Sequence, residues 1–195
     1  EHAMVAIMAK PVEQTAYNDL VILAKSQTAA LGRLYDLYYD RIFRFCVHRL
    51  FNRSTAEEVT SSVFLTVAQG MPRFQGQTEQ DFRSWIYTIA TNQANAHIRK
   101  TMRRQRLMKN VVALRRRDEQ GSDEWSSLDW PTLYAAIQQL KPEHQTILTL
   151  RFFEDMDYDD IARVTGARPA TIRVTLHRIL RRLQKVLQGD SGGEE

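Results

Sequence analysis

The sequence predicts an all-α protein of two small helical domains joined by a flexible linker, basic at its start and acidic further on. Three observations carry this. Apolar residues recur at three- and four-residue spacing through most of the 195 positions. No stretch alternates apolar and polar residues as a strand does, and no internal repeat or heptad pattern competes. Between the two periodic blocks, 118–131 (DEQGSDEWSSLDWP) mixes acids, Ser, Gly and Pro with little periodicity. The expected boundaries are a tag and N-terminal extension over 1–16, a first domain over 17–103, a linker over 104–130, a second domain over 131–188, and a disordered tail over 189–195.

The elements follow in order. Leu31, Leu34, Tyr35, Tyr38, Ile42, Phe45 and Arg49 with Leu50 trace one face of a helix over about 28–50, and Val59, Val63, Phe64, Val67 and Met71 trace a second over about 55–70. A loop is expected over 71–81 (MPRFQGQTEQD), which carries Pro72 and Gly76. Phe82, Trp85, Ile86, Ile89, Ala90, Gln93 and Ile98 then restore the helical period up to a basic run. In the second domain Tyr158, Ile161, Ala162 and Val164 form a short apolar face that ends at Gly166, a residue able to take the left-handed conformation at a helix end. Pro169 suits the first turn of the next helix. Its buried stripe is expected at Ile172, Leu176, Ile179, Leu180, Leu183 and Leu187.

Charge is modest overall at +4 but strongly localised: fifteen of 27 basic residues lie within 99–117 and 168–185, two stretches that hold no acid. The rest of the chain is acidic on balance, with a cluster at Glu154, Asp155, Asp157, Asp159 and Asp160. Such a split makes directional fields rather than a general affinity for polyanions. One cysteine, Cys46, excludes an internal disulfide framework and fits a reducing cytoplasm. Neither a run of eighteen apolar residues nor a leader is found, so no membrane insertion is expected.

A short helix, a glycine turn and a long basic helix are the sequence form of a helix-turn-helix DNA reader. On the outer face of the last helix Thr171, Arg173, Thr175, Arg178 and Arg182, with Arg168 just ahead, place hydroxyls near its start and guanidinium groups behind them. Such a face reads bases first and holds phosphates second. Enzymatic readings find no support. There is no glycine-rich phosphate loop, no metal-spaced His pair and no nucleophile motif, so no catalytic residue, metal or cofactor is expected.

The blocks LYDLYYDRIFRFCVHRL, AEEVTSSVFLTVAQGMPRF and DFRSWIYTIATNQANAHIRK, followed by the helix-turn-helix block, resemble a bacterial extracytoplasmic-function sigma factor over roughly 17–187. The resemblance implies two parts. Region two docks on the clamp helices of the largest subunit of core RNA polymerase and opens the minus-ten promoter element, and region four reads the minus-thirty-five element. It places Glu57, Glu58, Ser61, Ser62 and Phe64 toward polymerase. Phe74, Gln75, Gln77 and Thr78 would surround a flipped minus-ten base, with Asn92, His97, Arg99 and Lys100 near the duplex. Phe82 and Trp85 sit on the apolar stripe and fit the core better than a base platform.

Two departures from the family pattern stand out. Thr55, Ser61 and Ser62 occupy positions where the family usually carries an acid, a Gln and an acid, so carboxylates are missing from a surface expected to meet basic residues. A phosphate would restore that charge, and this chain resembles some groups of the family that lack the acidic motif and are paired with Hanks-type serine/threonine kinases. Thr55, at an expected helix start where its hydroxyl caps free amides, is the leading acceptor, with Thr60, Ser61 and Ser62 behind it. An anti-sigma factor is the alternative regulator, and neutral drift the alternative explanation. The second departure is Arg173, Val174 and Thr175 in place of the common Lys-Ser-Arg, which leaves the preferred bases open. The rival function is a helix-turn-helix activator that never joins polymerase. An adaptor using region two only for protein contacts ranks third.

Overall fold

The computed structural model describes residues 15–109 and 130–189. The first domain is built from α1 (15–24), α2 (Thr28–Leu50), α3 (Arg53–Gly70), a 3-10 turn at Met71–Arg73 and α4 (Glu79–Lys109). The second is α5 (Trp130–Gln138), α6 (Pro142–Phe152), α7 (Tyr158–Thr165) and α8 (Pro169–Gly189).

Helix α2 keeps the bounds its periodicity predicts and buries Leu34, Tyr38, Ile42, Phe45 and Cys46. Tyr35, expected on that face, is exposed instead and packs over Phe64 at the rim. The α2–α3 connection is only two residues long. Phe51 turns left-handed (φ 53°) with its N–H on the Val47 carbonyl, and Asn52 caps α3 by accepting from the Thr55 N–H at 2.8 Å. The expected cap at Thr55 is therefore corrected to Asn52. Asn is as strong a capping residue as the chain offers here, so the helix starts two residues earlier and Thr55 lies in its first turn.

Helix α4 runs past the boundary expected at 103, and 104–109 are helical rather than linker. The physical reason is compositional: from Glu79 to Lys109 there is no Gly or Pro, and the basic run is made of good helix formers. Its start is held by the first two helices, with Asn18 Oδ1 accepting from the Glu79 N–H at 2.8 Å and the Tyr38 hydroxyl donating to the Glu79 carboxylate. Residues 110–129 of the expected linker lie outside the described residues, as do 1–14 of the extension expected over 1–16 and 190–195 of the tail expected over 189–195; Thr15, Ala16 and Gly189 are helical.

In the second domain Gly166 ends α7 with φ 71°, as expected of that residue type. Asp157 caps α7 by accepting from the Asp160 N–H at 2.7 Å. Ile172, Leu176, Ile179 and Leu183 of α8 are buried against α5, α6 and α7. Leu180, expected in that stripe, is 42% exposed, because a stripe of about 100° has room for the i, i+4, i+7, i+11 set but not for the residue beyond it.

The two helical sets also pack against each other and share one contiguous apolar core. Arg49 at the end of α2 reaches Gln145 and the Pro142 carbonyl of α6. Gln80, Arg83, Tyr87 and Thr88 of α4 meet Asp160, the Glu154 carbonyl, the Glu154 carboxylate and the Val164 carbonyl respectively. Two acids of the cluster, Glu154 and Asp160, thus face α4, while Asp155, Asp157 and Asp159 are exposed.

Candidate nucleic-acid interface

Three surfaces gather the residues singled out from the sequence. On α8, Thr171, Thr175, Arg178 and Arg182 stand four, three and four residues apart, which puts them on one stripe about 17 Å long at the usual helical rise. Arg168, Thr171, Arg173, Arg178 and Arg182 are exposed and Thr175 half-buried. The length suits the major groove, whose width of about 12 Å admits a helix. Beside the stripe Arg178, Arg181, Arg182, Gln184 and Lys185 line a shallow, open concavity of about 550 Å³. No carboxylate enters it, so its field is undiluted cation. Arg173 lies over the ring of Tyr158, 5.2 Å from its centroid. Val174, next to it, is 50% exposed and offers methyl groups in the middle of a polar face.

The second surface is the loop before α4 and the helix that follows. Asp81 organises the loop: its carboxylate accepts from the N–H groups of Gln77 at 3.0 Å and Thr78 at 3.1 Å, while its own N–H donates to the Thr78 hydroxyl. The Thr78 hydroxyl first, and then the Gln77 and Thr78 N–H groups, favour the ionised form and hold the Asp81 carboxyl below its ordinary range. Gln75 and Gln77 are left exposed. Phe74 is not free. Its ring stacks on Trp85 at 4.6 Å, meets Phe82 edge-on, and is covered by the Lys25 ammonium at 5.7 Å. Phe82 is fully buried, as expected, and Trp85 is held between Phe74 and the backbone at Gly70. Further along α4, Asn92, Arg99, Lys100, Arg103 and Arg104 are exposed and His97 is half-buried. From Glu79 to Lys100 the helix covers about 31 Å, roughly nine base pairs of duplex.

The third surface is α3. Glu57, Glu58, Ser61 and Ser62 are exposed. Glu57 pairs with Arg53 at 3.4 Å in an exposed i, i+4 contact, a pair of small energetic consequence. Glu58 has no partner among the described residues. Phe64 departs from expectation: it is buried, with its ring 4.6 Å from Tyr35 and 6.0 Å from Tyr39, so it supports the surface from beneath. The apolar group that does project here is Leu65, 59% exposed. The periodicity that marked Phe64 as part of a buried face was itself the signal for this. Thr55 is half-buried, and its hydroxyl has no partner among the described residues; Thr60 is fully buried, out of reach of a modifying enzyme.

The acidic cluster was visible in the sequence but its partner was not. Asp160 is buried and meets Arg83 at 3.8 Å and Arg163 at 3.4 Å. Burial raises the Glu154 carboxyl above its ordinary range, against the Tyr87 hydroxyl bond and the nearby Arg44, Arg41 and Arg83. Among the described residues no group of His, Cys, Asp and Glu is placed to hold a metal, and no helix is long and apolar enough to cross a membrane.

Comparison with known proteins gives this geometry a context. Residues 34–104 match the family model for sigma-70 region 2, and residues 132–183 that for sigma-70, region 4. Among similar curated proteins are the ECF RNA polymerase sigma factor BldN of Streptomyces coelicolor, 30% identical over 83% of this chain, and the RNA polymerase sigma factor YlaC of Bacillus subtilis, 28% identical over 78% of it. The chain spans 62% of the length of the first and 88% of the second. The fold is also that of CnrH, solved with the cytosolic domain of CnrY, at a TM-score of 0.66 over 90% of this chain and 99% of that one, with 15% identity. A sigma factor RpoE solved with the anti-sigma factor NepR of Bartonella quintana aligns at 0.64 over 80% and 96%, with 19% identity. The match across the first domain accounts for helices that the activator reading leaves unassigned.

Proposed function

The chain belongs to the extracytoplasmic-function branch of the sigma-70 family, and from that premise we propose that it joins core RNA polymerase, opens specific promoters and starts transcription. The observation that carries the reading is the single outward stripe of Thr171, Thr175, Arg178 and Arg182, set behind the Gly166 turn and matched to region 4. In this reading α8 meets the minus-thirty-five element. Gln75, Gln77 and Thr78, with Phe74 behind them, surround an unpaired minus-ten base, Asn92, Arg99 and Lys100 follow the backbone, and the clamp helices meet α3 at Glu57, Glu58, Ser61 and Ser62. Such a factor acts in the cytoplasm, without a cofactor and without catalysing a covalent step itself.

Transcription from promoter templates by core polymerase with and without the protein tests this. Template-specific initiation that requires the protein is expected. Promoter binding by the protein alone, with no effect of polymerase, would return the activator reading.

Regulation by phosphate at Thr55 is the finer part of the proposal. Two features support it: the hydroxyl lacks a partner among the described residues, and it sits in the first turn of α3, where backbone amides and the helix dipole favour an anion by about 0.3 to 1 kcal/mol. Added charge would extend the exposed Glu57 and Glu58 edge toward a basic clamp, chiefly raising association rate and specificity. Polymerase binding by wild type, Thr55→Ala and Thr55→Glu, with mass spectrometry of protein from cells expressing a serine/threonine kinase, tests it. Wild type that binds as tightly as Thr55→Glu without modification would leave the missing carboxylates as drift. An anti-sigma factor is the alternative regulator, on the precedent of the NepR-bound relative.

A further inference from the structure

Arg173 sits in the first part of α8 and is exposed, yet the side chain is not a free lever. Its guanidinium carbon lies 5.2 Å from the centroid of the Tyr158 ring, and the Arg151 guanidinium lies 5.6 Å from the same centroid. Arg151 is itself fixed, donating to the Met156 carbonyl at 2.9 Å and lying 3.8 Å from the Asp155 carboxylate. Tyr158 is half-buried as the first residue of α7, directly after the Asp157 cap. The ring is therefore held by α6 and α7 while one of its contacts belongs to α8. No hydrogen bond or ion pair engages Arg173 among the described residues. An aromatic ring takes a guanidinium through its flat face and leaves the N–H edge open, the edge that binds a base pair or a phosphate.

We infer that Tyr158 is a positioning residue for Arg173: it orders the arginine before DNA arrives, with its donor edge presented to the upstream promoter element. The inference rests on the reading of α8 as the promoter-contacting helix. An unheld Arg loses rotamer freedom on binding, and a pre-ordered one has already lost part of it. Sequence alone does not show the contact, because Tyr158 reads as an ordinary member of the short apolar face ahead of Gly166.

The test uses the full chain assembled with core polymerase and measures affinity for promoter duplexes with and without the upstream element. Wild type is compared with Tyr158→Leu, Tyr158→Phe, Arg173→Ala and the Leu–Ala double variant. An exposed guanidinium–ring contact corresponds to roughly a 2- to 5-fold change in affinity. Tyr158→Leu is expected to lose that much only on templates carrying the element, Tyr158→Phe to retain wild-type binding, and Tyr158→Leu to cost nothing further once Arg173 is Ala. In the free chain the Arg173 Nε–H resonance is expected to carry a ring-current shift that Tyr158→Leu removes. Should the Leu variant fail to fold, Tyr158→Met takes its place in the same cycle.

The inference is overturned if the loss from Tyr158→Leu persists undiminished beside Arg173→Ala, if Tyr158→Phe loses as much as Leu, or if the resonance is unshifted. Arg173→Ala with wild-type affinity on every template sinks the promoter reading of this residue and the inference with it. Arg173→Ala weakened on the element, with Tyr158→Leu unchanged, sinks the inference alone.

Discussion

Arg49 donates to Gln145 Oε1 at 2.5 Å across 96 positions of chain, and this bond joins the end of α2 to α6. The guanidinium is 1% exposed and has no carboxylate partner among the described residues; its other acceptors are Asn95 Oδ1 at 2.6 Å and the Pro142 carbonyl at 3.2 Å, and its Nε has none. Burial pulls its pKa down to about 10, with Cys46 and Glu143 acting in the opposite sense. Gln145 is held in turn by its own amide, which donates to the Leu140 and Gln138 carbonyls.

Removing the acceptor is expected to cost more than removing the cation. Gln145→Leu leaves a buried charge short of an acceptor, a loss of about 2 to 3 kcal/mol, whereas Arg49→Met leaves neutral acceptors unpaired at about 1 to 2 kcal/mol. Urea unfolding of both variants checks the order. Equal losses would show that the interface does not depend on the balance of this charge.

A pH dependence follows from His48, whose ring stacks on Phe153 at 3.9 Å between the two helical sets. Burial, reinforced by Arg44, lowers its pKa. The unfolded chain then binds the proton more readily, so the stabilisation is complete above the ordinary value of about 6.5 and is lost as pH falls below it toward the depressed folded value. Glu154, raised by burial, has the opposite sign: its neutral form is favoured in the fold, so it gains as pH falls through its raised value toward the ordinary carboxylate range. Thermal unfolding followed downward from about pH 7.5 is expected to show a decline below about 6.5 that His48→Phe flattens, and a compensating gain toward the ordinary carboxylate range that Glu154→Gln removes. An unchanged slope in both variants would contradict these assignments.

Gly76 is enclosed by the loop it belongs to. A Cβ there would lie 2.3 Å from the Phe74 ring and 2.5 Å from Asp81 Cβ, so Gly76→Ala must open the loop or displace the ring from Trp85. Overpacking of this kind costs about 1 to 3 kcal/mol. Under the proposed function the variant is expected to lose promoter opening, read by permanganate reactivity of unpaired thymines, and to recover on a template already mismatched in that segment. Failure on both templates would point to general misfolding.

The cationic face of α8 predicts a salt effect. Replacing Arg178, Arg181, Arg182 and Lys185 by Gln should lower the salt slope of polymerase-bound promoter affinity by about 0.9 for each phosphate no longer neutralised, up to about 3.6 for all four. Because phosphate contacts carry little sequence information, the weakening should be similar on different promoters. A weakening confined to one promoter sequence would assign these residues to bases instead.

Much was legible in the sequence, and the reason is local. The α2 bounds, the left-handed Gly166, the Pro169 start and four of the five apolar positions expected on α8 whose side chains are described, Leu187 lying outside these, follow from helical period and the backbone preferences of Gly and Pro, and the ordered blocks carried the family. Local rules place a residue on a face only to within about one position. The family resemblance, not the helical period, set Phe64 toward a partner, and Tyr35 and Tyr39 take it into the core; local rules set Tyr35 and Leu180 inward where packing turns them out. They also put the α3 cap at Thr55, where Asn52 serves. What only the tertiary structure decided is which distant groups meet: Arg49 with Gln145, Glu154 with Tyr87, Tyr158 with Arg173. Those pairings depend on how separate helices pack against one another, and one residue's neighbours in the chain do not encode them.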